Sequence, residues 1–227
     1  MNVMIYLCIL IISIFSVYFF RKLLGKLGLI VLFVMMSITS YLLTFKYITI
    51  ASFSLNSNSI TSITMFTTLY LLLEENNDKD VKKIINLNFI LNIFSAIVLY
   101  LMTIHTQSIT DTVSINMKNI FLTNLRVLIA FPLTTLVANH LLVWMYGKIK
   151  KIYDNMFITT TTTYLFVGLI EGILYILFSY YNLLSFKAII QLILSTYMIR
   201  LIITVLYSLF LMKLNQEKVI KWVVLSC

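Results

Sequence analysis

Apolar runs, each long enough to cross a lipid bilayer and separated by short polar breaks, recur along the whole chain and restrict it to one kind of fold. A helix needs about 20 residues to cross a hydrocarbon layer of roughly 30 Å. Seven such runs are read, from Val3 to Phe20, Leu27 to Ile50, Ser57 to Leu73, Ile84 to Ile104, Asn119 to Tyr146, Met156 to Tyr180 and Ala188 to Met212. Strands of a membrane barrel would alternate apolar and polar residues over segments of about 10. These runs are nearly continuous, so the expected fold is all-α, a polytopic membrane protein of about seven transmembrane helices. Composition agrees: a chain of 227 residues that is 61% hydrophobic and 11% charged has more apolar surface than a soluble core of that size can hide. The organisation read from the breaks is an extra N-terminal helix with a basic loop over 1–26, a six-helix core over 27–212 and a tail over 213–227. The first run is expected to stay as a membrane helix, because no positive charge precedes it and Arg21 and Lys22 follow it directly.

The basic residues give an orientation. Arg21, Lys22 and Lys26 lie in the first break, Lys79, Lys82 and Lys83 in the third, Lys148, Lys150 and Lys151 in the fifth, and Lys213, Lys218 and Lys221 in the tail. The second break has none, the fourth only Lys118 and the sixth only Lys187. Basic loops stay cytoplasmic, which places the N-terminus outside and the C-terminus in the cytoplasm of a cell (plasma or inner) membrane. The net charge of +9 is thereby explained by topology, and nucleic acid is not an expected partner. Cys8 and Cys227 are too far apart in sequence to form a chelating pair and are read as free thiols.

Three charges fall well inside the runs: Arg126, Glu171 and Arg200. Such charges are costly unless they are paired or face water, and they commonly mark solute or ion pathways. Two readings follow. Either Arg126 and Arg200 flank Glu171 in one outward-reaching solute cavity, or the charges form an ion pair that locks helices together. Lys46 is near a helix end and is expected to snorkel to the interface. His140 is expected to be hydrogen-bonded locally, and Pro132 to remove one backbone bond within the fifth helix. Threonines between Thr61 and Thr68 and from Thr159 to Thr163 mark the third and sixth helices as facing protein rather than lipid. The run from Glu74 to Lys83 reads as a solvated loop or short surface helix. No HExxH, glycine-rich phosphate cradle or Ser/His/Asp set is present, so neither an enzyme nor a bound cofactor or metal is expected.

The chain resembles the vitamin uptake transporter family, whose characterised members are queuosine precursor transporters. The resemblance is carried by Arg21-Lys-Leu-Leu-Gly-Lys-Leu-Gly-Leu29, by Glu74 followed by Asp80, Lys82 and Lys83, and by Arg126 upstream of Leu142-Val-Trp144. Two further stretches are Leu169-Ile-Glu-Gly-Ile-Leu-Tyr175 and Ser195-Thr-Tyr-Met-Ile-Arg200, each with an ionisable residue where the family has one of the same sign. Tyr41 and Leu43 stand where the family has Asn and Gln, Ala138-Asn139 where it has Ser-Gln, and Gly168 where it has Gln. The resemblance implies uptake of a small 7-deazaguanine compound or a related nucleobase-like or vitamin-like solute. The cavity would be bounded by the second, fifth, sixth and last helices. Glu171 would accept the paired N–H groups of a guanine-like edge, Arg126 and Arg200 would balance its charge, Tyr41, Tyr175 or Tyr197 would stack on the ring, and Asn139 would contribute a polar contact. The other reading is a substrate-binding or regulatory membrane subunit that depends on a separate energising complex.

Overall fold

The computed structural model describes residues 2–50, 53–104, 120–121, 125–153 and 155–225. Within them lie helix α1 (Asn2–Leu43), a hairpin of strands β1 (Tyr47–Ile50) and β2 (Phe53–Asn56), and helices α2 (Ser59–Glu75), α3 (Asp78–Ile104), α4 (Leu125–Ile152), α5 (Met156–Tyr180) and α6 (Phe186–Leu225). Five of the described helical segments are long and apolar enough to cross a membrane: Val3–Leu43, Asp78–Ile104, Leu125–Ile152, Met156–Tyr180 and Phe186–Asn215.

The first two apolar runs occupy α1, which is broken at Gly25 (φ 56°, ψ −130°), a conformation glycine adopts without a Cβ penalty. A straight helix of 42 residues would hold its ends about 60 Å apart. Ile5 and Ile9 instead line the same cavity as Leu43 and Lys46, so the two arms run antiparallel. Gly28 makes that fold-back possible, since a Cβ there would stand 2.1 Å from the Phe20 carbonyl oxygen.

Helix α2 is the central post. Every residue from Ser59 to Leu73 is buried, as its threonines led one to expect. Their hydroxyls return to the helix, Thr64 Oγ1 to the Ile60 carbonyl and Thr67 Oγ1 to the Ile63 carbonyl, both at 2.8 Å. They also reach across it: Thr64 meets Tyr207 of α6 at 2.6 Å, and Ser62 meets Ser40 of α1 at 3.0 Å. Small hydroxylated residues let helices approach closely while leaving no backbone group unpaired, the requirement of a bundle surrounded by lipid. Helices α4, α5 and α6 follow one another around α2, with α1 packed against α2 and α3 against α4. The outer faces are apolar; on α3, Ile90, Phe94, Ile97 and Leu101 form an exposed stripe at helical spacing. Apolar residues outside and hydroxyls inside are the arrangement a helix bundle needs when its solvent is hydrocarbon.

Two ion pairs gather one end of the bundle. Glu75 accepts from Arg21 at 2.8 Å, and Glu74 accepts from Lys150 at 2.7 Å and from the Tyr146 hydroxyl. The Glu74 to Lys83 run is therefore not wholly a solvated loop: its first two acids close α2 and tie it to α1 and α4.

Several boundaries differ from the sequence reading; α3 starts at Asp78 rather than Ile84, and α4 runs to Ile152 rather than Tyr146. The second run was expected to be helical to Ile50, but α1 stops at Leu43, and Tyr47–Ile50 pairs antiparallel with Phe53–Asn56, Tyr47 opposite Asn56 and Ile50 opposite Phe53. Continuous apolarity cannot separate a short strand from the end of a helix; the β-branched Ile48, Thr49 and Ile50 favour the strand. The last helix passes the expected end at Met212 and is helical to Leu225. The expected start of the fifth run at Asn119, together with Lys118 and Cys227, lies outside the described residues, while Cys8 is a free, exposed thiol.

Candidate functional site

Two apolar clusters fill the interior, and a polar layer separates them. The larger cluster holds Leu29, Leu32 and Phe33 of α1, Val81 and Ile85 of α3, Ala138 and Leu142 of α4, Tyr164 and Val167 of α5, Ile203 and Tyr207 of α6, and the apolar residues of α2. The smaller holds Tyr41, Val127, Leu128, Phe131, Tyr175, Ile176 and Ile189. Between the two, each helix presents buried polar groups: Ser37 and Ser40 on α1, Asn88 and Asn92 on α3, Thr134 and Thr135 on α4, Glu171 on α5, and Ser195, Thr196 and Arg200 on α6. Helix α2 joins from its first turn through the Ser62 bond to Ser40.

At the centre of this layer Arg200 donates to Glu171 at 2.7 Å, and the same nitrogen donates to the Gly168 carbonyl at 2.8 Å. The side chains are 5% and 3% exposed. Helix α5 makes room for the guanidinium by carrying glycine on either side of Glu171: Cβ atoms at Gly168 and Gly172 would meet the arginine at 3.7 and 3.8 Å. Each charge alone would cost ~2.5–3.5 kcal/mol at the centre of a bilayer helix. Pairing offsets much of that cost, and the geometry, with a charge-assisted bond and a backbone acceptor, is favourable.

The layer also carries hydrogen-bonding capacity that no described residue uses. Asn88 and Asn92 each donate to Ser37, at 2.9 and 2.8 Å, but their carbonyl oxygens have no partner. The same holds for Thr135 Oγ1, Thr196 Oγ1, Arg200 Nε and both polar atoms of Asn139, a residue 1% exposed. Buried polar groups in folded proteins are overwhelmingly paired, and open ones also occur elsewhere in the bundle, among them Ser179, Thr204 and Ser208.

The predicted site residues fare differently. Glu171 and Arg200 come together as expected. Asn139 is buried one turn from Thr135, at the edge of the layer and with its amide uncommitted. Arg126 does not join them: it is exposed as the second residue of α4 and donates to the Tyr181 carbonyl at 2.7 Å. A run that reads as apolar to its edge hides where the helix begins, and the described helix leaves Arg126 at its end. Tyr197 is half-buried about one turn before Arg200 and makes no ring contact or hydrogen bond among the described residues. His140 meets Asn86 at 3.0 Å, the local bond expected of it.

Tyr41, expected to stack on a solute, is engaged within the bundle. Its ring stacks on Phe131 with centroids 5.2 Å apart, and its hydroxyl donates to the Leu128 carbonyl at 3.0 Å. Leu128 precedes Pro132 by four residues, so its carbonyl is the one that proline deprives of a helical N–H donor. Tyr41 supplies the missing donor from another helix. Tyr41→Phe is expected to cost about 1–3 kcal/mol by leaving that buried carbonyl unpaired. In a Pro132→Ala background, where the helix satisfies the carbonyl itself, most of the cost should vanish. Thermal unfolding of the four proteins in detergent checks the coupling.

The residues that sequence reasoning missed are Ser37, Ser40, Asn88 and Asn92. Each is an uncharged polar residue within an apolar run, a signal present in the sequence but outweighed by the charges. Compared with known proteins, the chain matches no family model, no curated protein and no solved structure.

Proposed function

We propose that this protein carries a small, flat, hydrogen-bonding solute across the cell membrane and binds it in the polar layer at Glu171 and Arg200. The observation that carries this reading is the position of the buried pair between two apolar clusters, each of which closes one side of it. A solute reaches the pair only when one cluster parts, and leaves when the other does, the requirement of alternating access. A structural ion pair would need no surrounding donors and acceptors left open.

In this reading the two arms of α1 and helices α2 to α6 make seven crossings, α2 spanning about 26 Å. The end gathered by Arg21, Glu74, Glu75 and Lys150 faces the cytoplasm, and the hairpin faces outside. The solute class follows from the resemblance to the vitamin uptake transporter family together with the chemistry of the layer. A 7-deazaguanine ring offers adjacent N–H donors for the Glu171 carboxylate, while Arg200 Nε, Asn139 and Thr196 offer donors and acceptors for its carbonyl and remaining edges. Phe131, Tyr41 and Tyr175 form the closure on the hairpin side.

Cells lacking their own uptake route and expressing this chain are expected to accumulate labelled queuosine precursors in preference to ordinary purines. Verified membrane expression without accumulation of any of these compounds would sink the solute assignment. Binding without movement in liposomes would instead identify a subunit that needs an energising partner.

A further inference from the structure

A second cavity, of about 700 Å³, opens on the outside of the bundle between α4 and α5. Its walls are Ile129 and Leu133 on one helix and Leu174, Leu177 and Phe178 on the other; Ile129 and Phe178 are among the more exposed apolar residues of the protein. Its polar end is formed by Arg126 and Tyr181, and the Arg126 guanidinium is held there by its bond to the Tyr181 carbonyl at 2.7 Å. Among the described residues no carboxylate pairs with Arg126. The groove descends from that charge along both helices, seven residues or about 10 Å on α4 from Arg126 to Leu133.

From this geometry we infer a specific site for a membrane phospholipid, its phosphate on Arg126 and one acyl chain in the groove. The charge and the apolar walls demand the same molecule: an anion at the membrane surface with a hydrocarbon chain directed into the bilayer. A guanidinium binds phosphate through parallel N–H bonds, and one N–H group committed to a backbone carbonyl fixes its orientation while leaving others for the ligand. Basic pockets between membrane helices on the cytoplasmic side bind anionic headgroups, and the same charge–phosphate chemistry is open to Arg126 at the other end. Leu133, at the foot of the groove, is exposed, whereas Glu171 and Arg200 are buried, so lipid and solute occupy different places.

The test is lipid retention by the purified full chain, read by native mass spectrometry after exchange into detergent with phosphatidylglycerol or with diacylglycerol of the same acyl chains. Wild type is expected to retain one phosphatidylglycerol and not the uncharged diacylglycerol. Arg126→Gln should weaken retention at least about tenfold, and Arg126→Lys should recover part of it. Leu133→Trp, which fills the groove and leaves the charge in place, should weaken it as well. Equal retention of diacylglycerol, or wild-type retention in both Arg126→Gln and Leu133→Trp, would overturn the site. Loss in Arg126→Gln alone would overturn the groove as the seat of the chain and leave only a surface cation attracting anionic lipid.

Discussion

Glu171→Gln is expected to destabilise the protein by about 3–5 kcal/mol, because it keeps the shape of the side chain but strands the Arg200 charge where only 5% of that side chain is exposed. Arg200→Gln should cost a comparable amount by stranding the carboxylate. The double replacement Glu171→Gln with Arg200→Gln removes both charges and leaves two neutral amides, the one at position 200 shorter than the arginine it replaces. Removing both charges leaves no stranded ion, so the double variant should be more stable than either single variant. Heat-induced loss of the folded peak in detergent gives the three differences. The double variant thereby separates the role of the pair in folding from the role in recognition proposed for it: it is expected to be folded and inactive.

The second large effect is expected at the corner of α1. Gly28→Ala would place a Cβ 2.1 Å from the carbonyl oxygen and 2.8 Å from the carbonyl carbon of Phe20. Both obstructing atoms are backbone, so no side-chain rotation relieves the clash and the arms must separate. A cost of about 3 kcal/mol, at the upper end for overpacking, is expected. Gly25→Ala is the informative comparison. Nothing lies within 4 Å of a Cβ at that position, so its cost comes from the φ of +56° alone, about 1–2 kcal/mol. Loss of arm packing has its own readout: cysteines introduced at Ile9 and Leu43, in a background without Cys8 and Cys227, should cross-link efficiently with Gly28 present and poorly in Gly28→Ala. Equal cross-linking in both would show that the arms tolerate the methyl group.

What the sequence disclosed and what it hid have separate physical causes. Apolar runs longer than a bilayer disclosed the helices, because burial in hydrocarbon and intrahelical hydrogen bonding impose both the length and the composition. The threonines of α2 disclosed a protein-facing helix, since a hydroxyl facing lipid has only its own backbone to bond. The corner at Gly25 was marked by basic residues, yet the antiparallel fold-back depends on the missing Cβ of Gly28, whose need for space is set by Phe20 eight residues away. The hairpin at Tyr47 was hidden because hydropathy does not change between helix and strand. Glu171 with Arg200 was legible as two charges of opposite sign that could not remain apart in a bilayer. Arg126 looked the same in sequence, but its helix begins beside it. The tie made by Tyr41 was hidden for a different reason: the carbonyl it serves is freed by Pro132 on another helix, and only a tertiary contact reveals that the two belong together. The polar layer was partly legible, through its charges; Ser37, Asn88 and Asn92 became visible as members only once the two apolar clusters were seen to lie on either side of that height.

Transport of a labelled 7-deazaguanine queuosine precursor into liposomes holding the purified chain, wild type beside the Glu171→Gln and Arg200→Gln double variant at equal folded content, tests the central claim most directly. The account predicts accumulation with wild type and none above empty liposomes with the double variant, although both are folded. Accumulation by the double variant at the wild-type rate would contradict it, and would leave Glu171 and Arg200 as a pair that holds α5 to α6 and nothing more.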